Sequence, residues 1–463
     1  MKIAVLMLGV ALALAGCVTP PKNEPQLQPV ADASAGLSVI AAPTIEDHWW
    51  QQYGDPQFDR LVTAALERNP SLQQTLARVR TAQAQVQLTT GRLNTGVTLD
   101  AQEQRSRFPE QYIIPPPFGG GTYWSGHLMA NLSWDLDFWG RQAALIEQAQ
   151  AGEQAAQLDA AAARLATTVA LSQTYLDLNR AIALADIARQ SVVQRQRILD
   201  ITRKRISAGL DTTVELRAAE SAVPQAELAR LQAEATREVA IHRLAALIGE
   251  GAQSYDRIGK PTLDLETALT IPTELPADLL GRRPDILAAR ARVEAATSQR
   301  AAARAAFYPN INLSAFAGFQ AIGLDNLLKS GNRTYGAGPA ISLPLFESQR
   351  LKSEFNTATA LQDAAVGSYN ETVLSAVQQV ADQLTQVNYS ALQLQQARST
   401  LTAAEEAYRL AQKRYEAGLA NYLSVLTTET QVLNARTTFI DILHQQAFAR
   451  VSLLLAVGGN FHI

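Results

Sequence analysis

Thiol chemistry is almost absent from this chain: Cys17 is its only cysteine, so no disulfide can form within it. Methionines number three, which lends no support to a soft-metal route. The five histidines (His48, His127, His242, His444 and His462) are scattered without metal-ligand spacing. His444 falls on an apolar helix seam, where packing accounts for it. No nucleophile motif, phosphate loop or acid pair is present, so neither an enzyme nor a cofactor is expected. Charge of one sign is lacking too. Lys and Arg total 40 against 43 Asp and Glu, a net −3, which leaves no electrostatic footprint for nucleic acid. Hydrophobic residues make up 47% and charged ones 18%, with the excess in alanine, leucine and valine. That composition suits helices packed on helices.

The N-terminus speaks to compartment. Lys2 is a short positive region, Ile3 to Leu14 an apolar one, and Leu14-Ala15-Gly16-Cys17 a small-residue site ending in Cys. The apolar run is far shorter than the roughly 20 residues a spanning helix needs, so residues 1–16 read as a signal peptide. Cys17 then has two readings: a lipobox cysteine that takes lipid on its thiol and new amine, or an incidental cysteine after an ordinary signal peptide. Several acyl chains on one residue would make a durable anchor. Val18 stands where an aspartate would retain this lipoprotein class at the inner membrane, so the lipid points to the outer membrane. Residues 17–42, rich in Pro, Gln and small residues, read as a lipidated tether.

Self-similarity organises the rest. Arg205-Ile-Ser-Ala-Gly209-Leu210 returns 209 positions later as Arg414-Tyr-Glu-Ala-Gly418-Leu419. The same offset pairs Glu220 with Glu429, Leu244 with Leu453 and Gly249 with Gly458. Upstream, Arg68-Asn-Pro70-Ser-Leu72 matches Arg282-Arg-Pro284-Asp-Ile286 at an offset of 214. The five extra residues fall between about 101 and 133, around the Pro/Gly-rich stretch Pro115 to Gly121, and predict a longer loop in the first copy. The organisation is a first repeat at 43–250, a connector at 251–277 outside the helical core, a second repeat at 278–459 and a tail at 460–463.

Each repeat reads helix, two strands, long helix, helix. The strands show a period of two: Val97, Leu99 and Ala101; Leu128, Ala130, Leu132, Trp134, Leu136 and Phe138; Ile311 to Phe319; Tyr335 to Leu345. A half-buried soluble sheet gives the same alternation. Strand length and the aromatics Tyr123, Trp124, Trp134, Phe138 and Trp139 point instead to tilted membrane strands with an interfacial girdle. From about Gly140 to Ile206 there is no proline, which predicts a helix of roughly 100 Å. Its counterpart from about Gln349 to Glu416 carries Val373, Val377, Val380, Leu384 and Val387 at coiled-coil spacing. Gly209 and Gly418 suit left-handed helix caps, and Pro224 should kink its helix. Four membrane strands cannot close a barrel, because open edges in lipid leave peptide groups unpaired. Two chains would pool eight strands, an interior normally filled by side chains; three would pool twelve, wide enough to conduct.

These features resemble a known family. Trp49-Trp50 with Asp55-Pro56, Asn69-Pro70-Ser-Leu72, Ser133-Trp134-Asp135-Leu136-Asp137-Phe138-Trp139-Gly140-Arg141 and Leu275-Pro276-Ala277-Asp278-Leu279-Leu280-Gly281-Arg282-Arg283-Pro284-Asp285-Ile286 occur in the order found in the TolC-like outer-membrane efflux factors, lipoprotein branch. The resemblance implies a mainly α fold with a small transmembrane β part: a homotrimer whose twelve-stranded β-barrel continues as a periplasmic α-barrel. It implies a passive outer-membrane efflux conduit for drugs or other toxic compounds, docked to a periplasmic adaptor and, through it, an inner-membrane transporter. Its adaptor surface maps onto Arg205, Gly209, Arg414 and Gly418; the two arginines also suit helix C-terminal carbonyls. Its periplasmic aperture maps onto Asp211, which alternatively caps a helix start, and onto Tyr415. The repeat mate of Asp211 is Ala420, where close relatives tend to carry an acid. A coiled-coil adaptor lipoprotein and a duct for type I protein secretion are the competing functions. The tandem copies and strands speak against the first, the lipobox and pump-type motifs against the second.

Overall fold

The computed structural model describes residues 20–30, 48–92, 95–111, 117–265, 283–344 and 346–459. Cys17, most of the tether, the second half of the connector and the tail lie outside the described residues. The elements are α1 (Pro56–Arg68), α2 (Pro70–Gly91), β1 (Gly96–Arg107), β2 (Thr122–Asp135), α3 (Arg141–Ser207), α4 (Thr213–Leu247), α5 (Pro284–Ala305), β3 (Asn310–Ile322), β4 (Arg333–Ser342), α6 (Ser348–Glu416) and α7 (Tyr422–Ala456). From α2 onward the second copy repeats the first, element for element. The chain divides into two compact units, and α2, α3, α5 and α6 contribute to both.

The first unit holds residues 78–156 and 288–369 with the segment before Val30. Its sheet is an antiparallel meander in the order β1-β2-β3-β4. Cross-strand partners share a face, so register decides where each half of the alternation goes. Leu99 pairs with Ala130, Ala130 with Ala317 and Ala317 with Tyr335; Ala101 pairs with Leu128 and Leu128 with Phe319. The apolar halves of all four strands therefore lie on one face. The other face carries Asp100, Gln102, His127, Asn131, Ser314 and Gln320, with Met129, Phe316 and Ile322 among its apolar exceptions. The Phe316 ring lies over Gly336, where a Cβ would come within 2.8 Å of it. Among the described residues nothing covers the apolar face: Leu99 is 73% exposed and Tyr335 82%. A soluble half-buried sheet would have buried these residues.

β2 stops at Asp135, short of the expected Phe138. The turn into α3 breaks the alternation. Asp137 sits at φ 41° and Gly140 at φ 70°. The Asp137 carboxylate accepts from the amides of Gln142 and Ala143 at 2.9 and 2.8 Å, satisfying the first turn of α3. Trp139 donates to the Pro309 carbonyl at 2.8 Å and stacks on Tyr308. The longer first-copy loop is present, 108–121 against 323–332. The N-terminal segment runs beside α6 in the same direction: Asn23 bonds Asn356, and the amides of Gln26 and Leu27 donate to Asp363 at 2.8 and 3.0 Å.

The second unit holds residues 30–77, 157–287 and 370–463. Its core gathers Trp49, Trp50, Phe58, Tyr175, Leu244, Val380 and Leu454. Phe58 stacks on Tyr175 at 4.9 Å. Val380 of the expected heptad is fully buried, as is Leu454 on α7. α4 runs unbroken through Pro224, since one proline removes a single helical hydrogen bond. The connector departs from expectation. Ile258 is buried in the core, Tyr255 and Leu263 pack against it, and the Thr262 amide donates to Asp55 at 2.7 Å. Its first half belongs to the helical core because its apolar side chains find a partner face there.

One contact occurs twice. Asn69 Nδ2 donates to the Leu247 carbonyl, and Arg283 Nη1 donates to the Ala456 carbonyl, both at 2.8 Å. The donors stand at the 214 offset and the acceptors at the 209 offset. The same C-terminal carbonyl is thus satisfied in each copy by different chemistry.

Candidate functional site

Helices α3 and α6 end in the same way. The Leu210 amide reaches back to the Arg205 carbonyl at 2.9 Å, and the Leu419 amide to the Arg414 carbonyl at 2.8 Å. Gly209 at φ 71° and Gly418 at φ 77° supply the left-handed residue each turn requires. The return helices are capped by Thr212, in a reciprocal box with Glu215, and by Asn421, whose side chain accepts from Ser424. Asp211 is therefore not the helix-start cap; Thr212 fills that position.

Asp211 is instead drawn into a cluster that joins the two turns. Arg205 clasps it with two bonds, Nε to Oδ2 at 2.9 Å and Nη2 to Oδ1 at 3.0 Å. Tyr415, from the last turn of α6, donates its hydroxyl to Asp211 at 2.7 Å and lies 3.0 Å from the Thr202 hydroxyl. Arg205 Nη1 donates to the Tyr415 carbonyl at 3.0 Å, and its guanidinium sits over the Tyr415 ring at 4.5 Å. Arg205 does satisfy a helix C-terminal carbonyl, but on the other hairpin. Tyr415 is buried, and the Arg205 and Asp211 side chains are 12% and 6% exposed.

Electrostatics follow from this geometry. Burial pushes the Asp211 carboxyl up; the Arg205 fork and the Tyr415 hydroxyl outweigh it and hold the group below the usual carboxylate range. The bonds to Asp211 raise Arg205 in turn. Burial pushes the Tyr415 hydroxyl up to about 12. Arg414, Gly209 and Gly418 are exposed. Around them the turns present four apolar side chains at repeat-related positions, Leu210 and Val214, Leu419 and Leu423, all more than half exposed.

The sequence reading thus named Arg205, Asp211 and Tyr415 separately, and the structure brings them together. It missed Thr202, whose hydroxyl completes the cluster, and the apolar pair on each turn. That pair was visible as the 209 offset carried from Leu210 to Leu419 and from Val214 to Leu423.

Residues 61–250 and 275–459 match the outer membrane efflux protein family. The fusaric acid resistance protein FusA of Burkholderia cepacia is 35% identical, over 77% of this chain and 69% of its own. The outer membrane protein OprJ of Pseudomonas aeruginosa is 30% identical over 98% of this chain and 95% of its own. Among solved structures, the outer membrane protein VceC of Vibrio cholerae superposes with a TM-score of 0.84 at 33% identity, covering 90% of this chain and all of VceC. The chain belongs to the outer membrane efflux protein family. It is an outer-membrane component of an efflux system, with a helical part and a β-barrel part.

Proposed function

We propose that three copies of this chain pool their strands into one twelve-stranded barrel that conducts small toxic compounds outward, as a passive conduit with no catalysis of its own. The observation that carries this is the sheet. It has an uncovered apolar face, a polar face behind it, and two edge strands, β1 and β4, whose outward peptide groups need partners in lipid. Pairing β4 of one chain with β1 of the next satisfies both edges and turns the polar face to a water-filled lumen. Fusaric acid in the name of one relative and toluene in that of another fit a low-mass aromatic cargo.

The helical hairpins continue the conduit into the periplasm. Their turns are the aperture, and the Arg205–Asp211–Tyr415 cluster is a latch that holds the two hairpins of one chain together. A periplasmic adaptor, itself coupled to an inner-membrane transporter, docks on the turns. Gly209 and Gly418 give it close approach, Leu210, Val214, Leu419 and Leu423 an apolar footing, and Arg414 a charge. Cys17 carries lipid in the outer membrane; the segment held along α6 by Asp363 leads the chain back towards the start of that helix, beside the sheet.

The test is the mass of detergent-extracted protein by light scattering, corrected for detergent, followed by conductance across a planar bilayer. A conducting trimer is expected. A monodisperse monomer would sink the proposal and return the chain to the adaptor class.

A further inference from the structure

The latch accounts for three of the ionisable groups buried between the hairpins, but not for Glu429. This residue of α7 is 1% exposed, and Arg195 of α3, 15% exposed, faces it with Nε 3.4 Å from the carboxylate. The two atoms are too poorly aligned to bond: Glu429 Oε1 and Arg195 Nε are both buried without a hydrogen-bond partner. Tyr408 of α6 and Tyr422 of α7 also feel the Glu429 charge, and Arg436, Arg197 and Arg195 act on Tyr408 in the opposite sense. α4 contributes the Ala222 carbonyl, which accepts from Arg195 Nη1 at 3.1 Å. An ion pair held this way carries the cost of desolvation without the full return of a hydrogen bond.

The site is continuous with the latch. Tyr415, Tyr422, Val425 and Val432 form one apolar cluster, with the rings of Tyr415 and Tyr422 6.4 Å apart, and Glu429 lies two helical turns along α7 from Tyr422. It also occurs only once per chain. At the 209 offset Arg195 becomes Ala404 and Glu429 becomes Glu220, which is more exposed and pairs with Arg217 on its own helix.

We propose that Glu429, set against Arg195 across the α3–α7 contact, is an acid-operated brake on the aperture: protonated, it favours the packed and latched arrangement; ionised, it favours separation of the hairpins. This rests on the aperture reading above. The sign follows from linkage. Burial raises the Glu429 carboxyl more than Arg195 lowers it, so the packed arrangement binds a proton more tightly than one in which the carboxylate reaches water. That preference is fully present below the ordinary glutamate value and is lost as pH rises through the packed-state value. Each unit separating the two values is about tenfold in the equilibrium between packed and separated hairpins. Asp211, held low by Arg205, stays ionised throughout this window and does not contribute.

The experiment is single-channel recording on the full-length trimer from about pH 7.5 to about pH 5, a range that lies above the ordinary carboxylate values. Open probability of the parent should fall on acidification. Glu429→Gln should be low and flat across the range, while Glu220→Gln should follow the parent. Arg195→Gln should move the midpoint to higher pH, since it removes the attraction that lowers the carboxyl. A parent without pH response, or a Glu429→Gln protein that keeps the parent profile, would overturn the proposal. If Glu429→Gln does not assemble, the Arg195→Gln midpoint decides, and an unmoved midpoint overturns it. Asp211→Asn separates the two readings. It should open the channel at both ends of the range, and its failure to do so refutes the aperture reading whatever Glu429 does.

Discussion

Tyr415→Phe and Asp211→Asn should both open the channel, and by different amounts that the geometry of the latch sets. Tyr415→Phe removes two contacts, to Asp211 and to Thr202. It strands little: Asp211 keeps both bonds from Arg205, and Thr202 keeps its bond to the Ile198 carbonyl. One hydrogen bond to a charged group and one between neutral hydroxyls, with no orphan left behind, are together worth about 1–2 kcal/mol. Asp211→Asn is more severe. It leaves the guanidinium of Arg205, largely shielded from water, with the Tyr415 carbonyl and no anion. Breaking a buried pair from one side costs about 3–5 kcal/mol, and the proximity of solvent at the turn argues for the lower end.

At about 1.4 kcal/mol per tenfold, the opening equilibrium should move about 5- to 30-fold for Tyr415→Phe and about 100-fold for Asp211→Asn. Arg205→Lys keeps the charge but cannot fork onto both carboxylate oxygens and the carbonyl, so it should fall between them. Because Tyr415 and Arg205 share Asp211, the doubly substituted protein should shift by less than the two single effects combined. The assay is open probability in a planar bilayer, with assembly checked by light scattering. Equal effects of Tyr415→Phe and Asp211→Asn, or no effect of either on an assembled trimer, would refute the assignment of the latch.

Other consequences are more local. Gly209→Ala should cost about 1 kcal/mol, read as a small drop in melting temperature, because φ is 71° but the added Cβ meets nothing within 4 Å. Gly249→Ala should prevent proper folding, since φ is 72° and the Cβ would lie 2.4 Å from the Arg68 carbonyl oxygen. On the sheet, Leu99→Arg faces lipid and should destabilise the inserted trimer by about 2–4 kcal/mol, read as a lower yield, whereas Thr98→Arg on the polar face should insert normally and alter ion preference; equal yields would contradict the face assignment. Cys17→Ser should abolish incorporation of labelled palmitate. The Asp211 carboxyl is depressed, so its contribution is present above the ordinary carboxylate value and lost as pH falls through its own. Conductance should therefore rise again below about pH 4, and this limb should vanish in Asp211→Asn.

The strands were legible because a period of two survives translation into a sheet. Leu99, Ala130, Ala317 and Tyr335 alternate in four separate segments and arrive on one face through register alone. The long helices were legible through missing proline and the heptad at Val373 and Val380. The latch was not. Asp211 and Tyr415 lie 204 residues apart, and their meeting depends on how two hairpins pack, which no local pattern encodes. Asp211 beside the start of a helix looked like a cap because caps are local and latches are not. Ile258 was misplaced for a related reason. A segment without period gives no sign of which apolar residue finds a core face. The repeated glutamate was seen at Glu220 and Glu429, but its environments differ, and the signal for that was the change from Arg195 to Ala404 at the same offset.

Duplication explains why the latch occurs once per chain. The positions at the 209 offset from Asp211, Tyr415 and Thr202 are Ala420, Ile206 and Ala411, so the second set keeps Arg414 but has neither acid nor hydroxyl to receive it. Ala420 instead joins the apolar cluster around Tyr422. In the proposed trimer, the joint between the two hairpins of one chain would be held by a buried ion pair. The joint in which Arg414 takes the place of Arg205 falls between neighbouring chains, and it would be held by packing alone. The energies of the two joints differ by the worth of the latch. Separation would then begin between chains, and a docking partner that levers the turns apart would have one latch per chain to break rather than two. Installing an acid with Ala420→Asp tests this, since it offers Arg414 the partner it lacks. The channel should become harder to open if the joints differ as described, and an unchanged open probability would mean that the joint between chains is already held by other contacts.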